Sequence, residues 1–477
     1  MMVDLVTRWQ GEVIANEQRM SANEFWQHVE ALSTQLRDMN LRCVAVELDN
    51  GLPWLVVDFA LMQAGIVSLP LPHFFSASQR EHALQKAQPQ LIIRAAKPEF
   101  EEQYLWSIGE QYIALEVVDM GAVESIEFPQ GTQKITFTSG STGQPKGVCL
   151  SAQQLLQVGA SLVNRCAISQ PQHLCLLPLA VLLENVAGVY APMLAGGSIH
   201  VPSLASLGFD GTALKEPQKL LATISQVQPN TLILVPELLK GLVGACEMGW
   251  SAPESLAFIA VGGAKVAPDL IERARKLGLP VYQGYGLSEA GSVVSLASSI
   301  DVDSASVGQP LEHVDCDIIN GELVLKSPQF LGYLGEPAPQ EEAYATGDLV
   351  ALEGGEIHIL GRKKNQIILS NGRNVSPEWP ESLLLSNSAI SQAVVVGEGE
   401  ACLCALIYCD PRANNMQLSA LVAAANEQLP SYAKIANFLR LSTPLSVDDG
   451  YLSANQRPKR DAINLGFAAQ ISQLFQE

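Results

Sequence analysis

The densest run of chemically capable residues is ITFTSGSTGQPKGVCLS, residues 135–151. Ile135–Phe137 reads as a strand that runs into a loop holding Thr138, Ser139, Gly140, Ser141, Thr142, Gly143, Lys146 and Gly147. Glycines let backbone N–H groups close around an anion, hydroxyls add donors, and a lysine supplies charge. That combination suits a chain of phosphates. The loop is not a Walker A motif, which needs G-x-x-x-x-G-K-[ST], because Gln144 and Pro145 separate Gly143 from Lys146. A flexible Ser/Gly linker is the bland alternative, but such density directly after an apolar strand argues against it.

Alternating strands and helices must position this loop. Ser21 followed by Glu24 has the pattern of a capping box, and Phe25, Val29, Leu32 and Leu36 follow at helical spacing. CVAVEL (43–48) reads as a strand, and residues 54–71 as a helix ending near Gly65 and then a short strand. TLILV (231–235), LAFIAVGG (256–263) and PVYQGYG (280–286) read as further buried strands, with a helix over Asp269–Leu277. Such β–α–β alternation predicts a largely parallel sheet. After residue 300 the texture changes to hairpins, at 314–328 and at 349–369 with a Glu-Gly-Gly turn. Paired strands at 392–410 and a helix at 419–429 then indicate a second, smaller unit, with the boundary near 362–365.

The chain has 477 residues, 48% of them hydrophobic, with 29 Lys+Arg against 49 Asp+Glu, so the net charge is 29 − 49 = −20. The apolar content excludes a disordered chain. The acidity argues against nucleic acid or an anionic membrane as the main partner. The nine cysteines lack metal-site spacing, and the Cys402/Cys404 pair stands alone. Free thiols in a reducing, cytoplasmic setting are expected. The N-terminal residues carry no signal-peptide pattern. The most apolar stretch, Leu174–Ile199, is interrupted by Glu184 and Asn185 and by Pro178 and Pro192, so it reads as core or pocket lining and not as a transmembrane span.

Four more motifs follow the Ser/Gly loop in order: GYGLSEAG (284–291), YATGDLV (344–350), GRKKNQII (361–368) and NGRNVSPEWPE (371–381). Together they resemble the adenylate-forming (AMP-binding) superfamily, which includes acyl-CoA synthetases, peptide-synthetase adenylation domains and luciferases. The likeness runs from about residue 20 to about 465. It implies an α/β fold: a large N-terminal domain of stacked α/β subdomains with a β-rich subdomain, over 1–362, and a small mobile α+β lid, over 363–477. It implies ATP, Mg²⁺ and CoA, and a two-step reaction: a carboxylate becomes an acyl adenylate, then a thiol displaces AMP.

By the same resemblance, Glu289 is the magnesium ligand and Ser288 contacts phosphate. Tyr285 stacks on adenine, with Gly286 and Leu287 beside it and Gly262, Gly263 and Ala264 as the opposite wall. Asp348 accepts from the ribose hydroxyls, since a carboxylate has enough acceptor sites for two. Arg362 contacts ribose or phosphate, Lys364 is the hinge, and Gly372, Arg373 and Asn374 form the thiol-step loop, with Gly372 allowing close backbone approach. Val181, Leu182, Val186, Val235, Val261 and Gly262 line the acyl pocket.

Two positions depart from the family pattern. Where most members carry a catalytic lysine near the C-terminus, YLSANQRPKRDAI (451–463) aligns Arg457, with Lys459 two residues later. Arginine is a planar fork and lysine a point charge; either could neutralise a developing oxyanion. After Pro178–Leu179, many fatty-acid members carry a histidine or aromatic residue; this chain has Val181. The region near Val235–Pro236 has no acidic residue to hold a substrate amine, and an unpaired ammonium there would be costly. An apolar carboxylic acid is therefore expected, and the Asn371–Asn374 loop with Glu378 and Trp379 resembles the bacterial long-chain fatty acyl-CoA synthetases most. The acceptor is CoA or the phosphopantetheine arm of an acyl carrier protein. A catalytically weak nucleotide- or acyl-binding relative is the reading outside enzymes, resting on Arg457 alone.

Overall fold

The computed structural model describes residues 5, 8–16, 18–96, 105–108, 111–117, 126–138, 145–211, 213–326, 330–337, 343–453 and 456–476. Ser139, Gly140, Ser141, Thr142 and Gly143 of the Ser/Gly loop lie outside the described residues.

The expected alternation is present. The helix Ala22–Asp38 begins on a capping box in which Ser21 accepts from the Glu24 N–H and Glu24 reaches back to the Ser21 N–H. Phe25, Val29, Leu32 and Leu36 are its fully buried stripe. Each such side chain contributes roughly 1.5–3 kcal/mol on burial, which outweighs a cap of about 1 kcal/mol. Leu52–Ala64 ends at Gly65, and the parallel strands Cys43–Glu47 and Val67–Pro70 flank it. They belong to an eight-stranded sheet that also holds Lys134–Thr138 and its antiparallel partner Lys146–Leu150.

A nine-stranded sheet carries the second half of the parallel pattern: Gln172–Leu174, Thr231–Leu234, Phe258–Val261 and Val281–Tyr285 run side by side. Its central strands Thr231–Leu234 and Phe258–Val261 are short, mostly apolar runs, as a sheet covered on both faces requires. A four-stranded antiparallel sheet follows, built of the expected hairpins Cys316–Ile319/Glu322–Leu325 and Tyr344–Glu353/Glu356–Arg362. The C-terminal unit is a three-stranded sheet, Ile390–Val396, Leu403–Cys409 and Ile435–Arg440, with the helix Asn415–Glu427.

One core joins the two large sheets. It takes Val46, Val57 and Val148 from the first side and Val189, Ile199 and Phe258 from the second. Within it lies a closed polar knot. Lys134 Nζ donates to Asp58 Oδ1 at 2.7 Å, Asn185 Oδ1 at 2.5 Å and Tyr190 OH at 3.0 Å, while Tyr190 OH donates to Asp58 Oδ2 at 2.5 Å. All four residues are buried. Burial lowers the Lys134 ammonium and Asp58 opposes that shift. A buried charge survives only when its partners and hydrogen bonds are complete, as they are here.

Pro192 does not break the helix as the sequence suggests. Leu183–Tyr190 is a π-helix that runs directly into Ala191–Leu194. Its bonds reach five residues back, as from the Ala191 N–H to Val186 O, and Pro192 sits in the first turn of the next segment, where its missing N–H costs least. Among the described residues no helix is long and apolar enough to cross a membrane. All nine cysteines are free.

The small unit docks on the large one through cations placed at a helix end. Lys240 Nζ donates to Leu385 O at 2.9 Å and Ile390 O at 2.8 Å, and Arg273 to Ser386 O at 3.4 Å. Leu385 ends the helix Glu378–Leu385, whose last carbonyls lack partners within the helix and carry the negative end of its dipole.

Candidate active site

A cavity of about 720 Å³ opens where the C-terminal ends of the parallel strands meet the hairpin sheet and the small unit. Its two ends differ in chemistry.

The polar end gathers residues from four of the five motifs, all but the segment 371–381. Thr138 and Lys146 line it from the two strands that bracket the Ser/Gly loop. Gly262 and Gly263 follow the strand Phe258–Val261, and Tyr285, Gly286, Leu287, Ser288 and Glu289 follow Val281–Tyr285. Arg362, Lys363 and Lys364 enter from the last hairpin strand, and Arg457 from the small unit. Arg457 Nη2 donates to Gly263 O at 2.6 Å and so closes the cavity across the two units. Lys459 is exposed at the start of the helix Arg460–Gly466 and does not line the cavity.

Asp348 is buried behind this wall, not on it. Its Oδ2 accepts from Tyr285 OH at 2.6 Å, and Arg362 donates to Oδ1 at 2.8 Å and Oδ2 at 3.4 Å. A carboxylate offers about four acceptor sites. Three are already met, so two ribose hydroxyls would need the long Arg362 contact to yield. Burial, with Asp348 alongside, raises the Tyr285 phenol well above its ordinary value and keeps it a donor. Burial works against the Arg362 charge, but Asp348 holds the guanidinium above its usual value. Burial lowers the Lys364 ammonium, and the neighbouring Arg362 and Arg457 lower it further. Like charges crowded in this way are relieved by an anion.

Glu289 Oε1 accepts from Tyr333 OH at 2.9 Å, and Tyr333 meets Tyr344 OH at 3.2 Å. One carboxylate among hydroxyls is the all-oxygen donor set that Mg²⁺ takes while keeping most of its waters, so these residues fit that ion. Lys146 lies 4.5 Å above the Tyr333 ring and pairs with Glu336 at 2.9 Å. Sequence reasoning missed Tyr333 altogether. It lies in no charged or Gly-rich pattern, and only tertiary packing brings it to Glu289.

The apolar end runs between the sheet face and two helices. Leu162, Val163 and Cys166 come from the helix Ala152–Cys166, Leu183, Ala187 and Ala191 from the π-helix and its continuation, and Ile233, Phe258 and Ala260 from the strands. Of the expected acyl-pocket residues, Val181, Leu182, Val261 and Gly262 line the cavity. Val186 and Val235 do not. Val186 is fully buried on the core side of the π-helix, and Val235 sits behind Gly263, where its Cγ1 is 3.7 Å from the position of a glycine Cβ. Ala264 also lies off the wall, exposed past the bend at Gly263.

Gly372, Arg373 and Asn374 are exposed and away from the cavity. Arg373 lies 4.9 Å from the Tyr432 ring. The space around Gly372 is open, so the reason for glycine is its φ of +77° in a tight turn, not the close approach expected from sequence.

This is the architecture of an α/β protein with a large domain, a smaller C-terminal one and a ligand cavity between them. Residues 6–334 match the AMP-binding enzyme family and residues 364–477 match the AMP-binding enzyme C-terminal domain. The chain belongs to the AMP-binding enzyme family. Among its relatives is the long-chain-fatty-acid–CoA ligase FadD15 of Mycobacterium bovis, 25% identical over 88% of this chain and 86% of that protein. The 2-succinylbenzoate–CoA ligase of Enterococcus faecalis is 28% identical over 57% and 58%. The solved o-succinylbenzoate CoA synthetase of Bacillus subtilis, bound to its acyl adenylate, shares the fold with a TM-score of 0.77 at 21% identity, covering 96% of each chain. The anthranilate CoA ligase AuaEII does so with a TM-score of 0.79 at 16% identity, covering 99% and 98%.

Proposed function

We propose that this enzyme activates an apolar monocarboxylic acid of the fatty-acid class, using ATP to form an acyl adenylate and then passing the acyl group to the thiol of CoA. The observation that carries the substrate class is the segregation of charge in the cavity. Lys146, Arg362, Lys363, Lys364 and Arg457 all stand at the polar end. Among the described residues no lysine or arginine lines the apolar end. His173, which also lines that end, is engaged, with Nε2 meeting Glu184 Oε1 at 2.8 Å and Nδ1 meeting Thr231 Oγ1 at 2.9 Å. A second carboxylate on the substrate, as in 2-succinylbenzoate, would be buried unpaired beside Glu184 at a cost of several kcal/mol.

In this reading Lys146 and the Ser/Gly loop hold the triphosphate, Tyr285 and Gly263 bracket the adenine, and Glu289 with Ser288 serves the phosphates. Mg²⁺, held at Glu289, would supply charge neutralisation on the phosphate oxygens. Arg457, anchored by Gly263 O, faces the oxyanion that develops as carboxylate attacks phosphorus. The lid loop Asn371–Asn374 is where the thiol step would be served after the lid turns about Lys364.

Pyrophosphate exchange with a panel of saturated fatty acids, 2-succinylbenzoate and ferulate tests the proposal. Fatty acids should support exchange and the dicarboxylate should not. Preference for 2-succinylbenzoate would overturn the substrate class, and no exchange with any acid would overturn the activity. Product mass spectrometry with CoA and with a phosphopantetheinylated carrier protein separates the two acceptors.

A further inference from the structure

Tyr333 touches two charged groups at the polar end, and it does so with two different parts of its side chain. Its hydroxyl donates to Glu289 Oε1 at 2.9 Å, and its ring lies 4.5 Å from the Lys146 ammonium. Among the described residues no other side chain donates a hydrogen bond to Glu289. Glu289 stands on a short 3₁₀ turn, Ser288–Ala290, that has no side-chain cap. The aim of its carboxylate therefore depends on a residue 44 positions away.

Tyr333 is itself fixed from behind. The strand Gly332–Tyr333 pairs with Cys149 and Val148 of the return strand that begins at Lys146, and the Leu334 N–H bonds Gly147 O at 2.8 Å. Tyr333 and Lys146 thus share one piece of sheet. Phe330 meets the Tyr333 ring at 5.1 Å and the Tyr344 ring at 5.3 Å, both edge-on.

The proton order of the cluster follows from counting donors. Tyr344 OH lies 3.2 Å from Tyr333 OH, and a phenol has one proton to give. Tyr333 gives its proton to Glu289, so Tyr344 donates to Tyr333. The three groups form one directed chain, Tyr344 to Tyr333 to Glu289. Burial raises both phenols above their ordinary value, Tyr344 to about 12, and the Glu289 charge raises them further, so the chain keeps its protons.

We propose that Tyr333 is a positioning residue for magnesium: its hydroxyl aims Glu289 at the metal while its ring seats the Lys146 ammonium, so one side chain couples metal binding to nucleotide binding. This rests on the acid-activation reading above, in which Glu289 holds Mg²⁺ and Lys146 meets the triphosphate. Ligating carboxylates are generally oriented by a hydrogen-bonded outer partner, and losing that partner weakens the metal more than the fold.

The test measures ATP binding by calorimetry across a Mg²⁺ titration and again in EDTA, for wild type, Tyr333→Phe and Tyr333→Leu, with Tm followed in parallel. Tyr333→Phe keeps the ring and loses only the donor. Its half-saturating Mg²⁺ concentration should rise about ten- to a hundredfold, the range for a lost outer partner of a metal ligand, with ATP affinity in EDTA unchanged. Tyr333→Leu loses the ring as well and should also bind ATP in EDTA about two- to fivefold more weakly, the worth of an exposed cation–π contact. An unchanged Mg²⁺ requirement in Tyr333→Phe overturns the proposal. So does a loss of ATP affinity that is equal with and without Mg²⁺ and follows a lower Tm, because that is what a merely structural tyrosine gives. If wild type binds no ATP with or without Mg²⁺, the acid-activation reading itself fails, which is a different result from a wild type and a Tyr333→Phe variant that bind Mg²⁺ and ATP alike.

Discussion

Two lysines sit at opposite ends of one hairpin and do opposite things. Lys134 opens the strand Lys134–Thr138 and is sealed in the core with Asp58, Asn185 and Tyr190. Lys146 opens the return strand Lys146–Leu150, half exposed, paired with an equally exposed Glu336. The Lys134 end ties the first sheet to the π-helix that walls the acyl end of the cavity. The Lys146 end borders the Ser/Gly segment proposed to hold the triphosphate. One end is sealed by the protein itself, and the other holds its charge in a solvent-exposed pair. The same division separates the two ends of the cavity.

The largest test of that contrast is thermodynamic. Lys134→Ala leaves Asp58 buried and uncompensated and should lower stability by about 3–5 kcal/mol in denaturant unfolding. Lys146→Ala should stay within about 1 kcal/mol, as exposed pairs do, while weakening ATP binding. Equal losses would erase the distinction between the two ends.

Next in size is the cation proposed to face the oxyanion. Arg457→Ala should reduce adenylation by about a hundredfold or more, the scale of removing an oxyanion donor. Lys459→Ala, off the cavity, should remain near wild type in the same pyrophosphate-exchange assay. A reversed ranking would show that the segment shifts when substrate binds.

At the apolar end, Ala187→Phe puts a ring into the acyl channel. Activity on long acids should fall about ten- to two-hundredfold relative to short ones, with AMP affinity intact. Loss of AMP binding together with acyl discrimination would mean that the two ends are not separable.

The smallest effect is electrostatic. The Lys364 ammonium is lowered by burial and by Arg362 and Arg457, so it loses its proton at a lower pH than an ordinary lysine. Nucleotide affinity should therefore decline as pH rises through that range. Lys364→Arg keeps its charge and should carry the affinity further into alkali. Superimposable pH profiles of the two proteins would remove Lys364 from the nucleotide's charge balance.

Much of the polar end was legible in the sequence because its chemistry is local. Gly-rich turns after strands place Tyr285–Glu289 and Thr138 by chain connectivity, and the β–α–β rhythm alone orders the strands that carry them. The apolar end was legible only in part. Val181 and Leu182 line the cavity, but Val186 and Val235 are turned into the core, because a π-helix and a bend at Gly263 set their faces. No residue pattern announces a π-helix. Tyr333 was invisible in the same way: a lone tyrosine carries no spacing signal.

What the sequence determined by itself was the class of fold and the location of the Gly-rich turns that follow the strands bordering the cavity, since strand periodicity, caps and glycine turns are properties of neighbouring residues. What only the tertiary structure decided was which side chains share a cavity. Arg457 reaches Gly263 across 194 residues, Tyr333 reaches Glu289 across 44, and Lys134 reaches Asp58 across 76. Such pairs are fixed by how sheets stack and where the small unit docks, and those depend on packing the whole core at once.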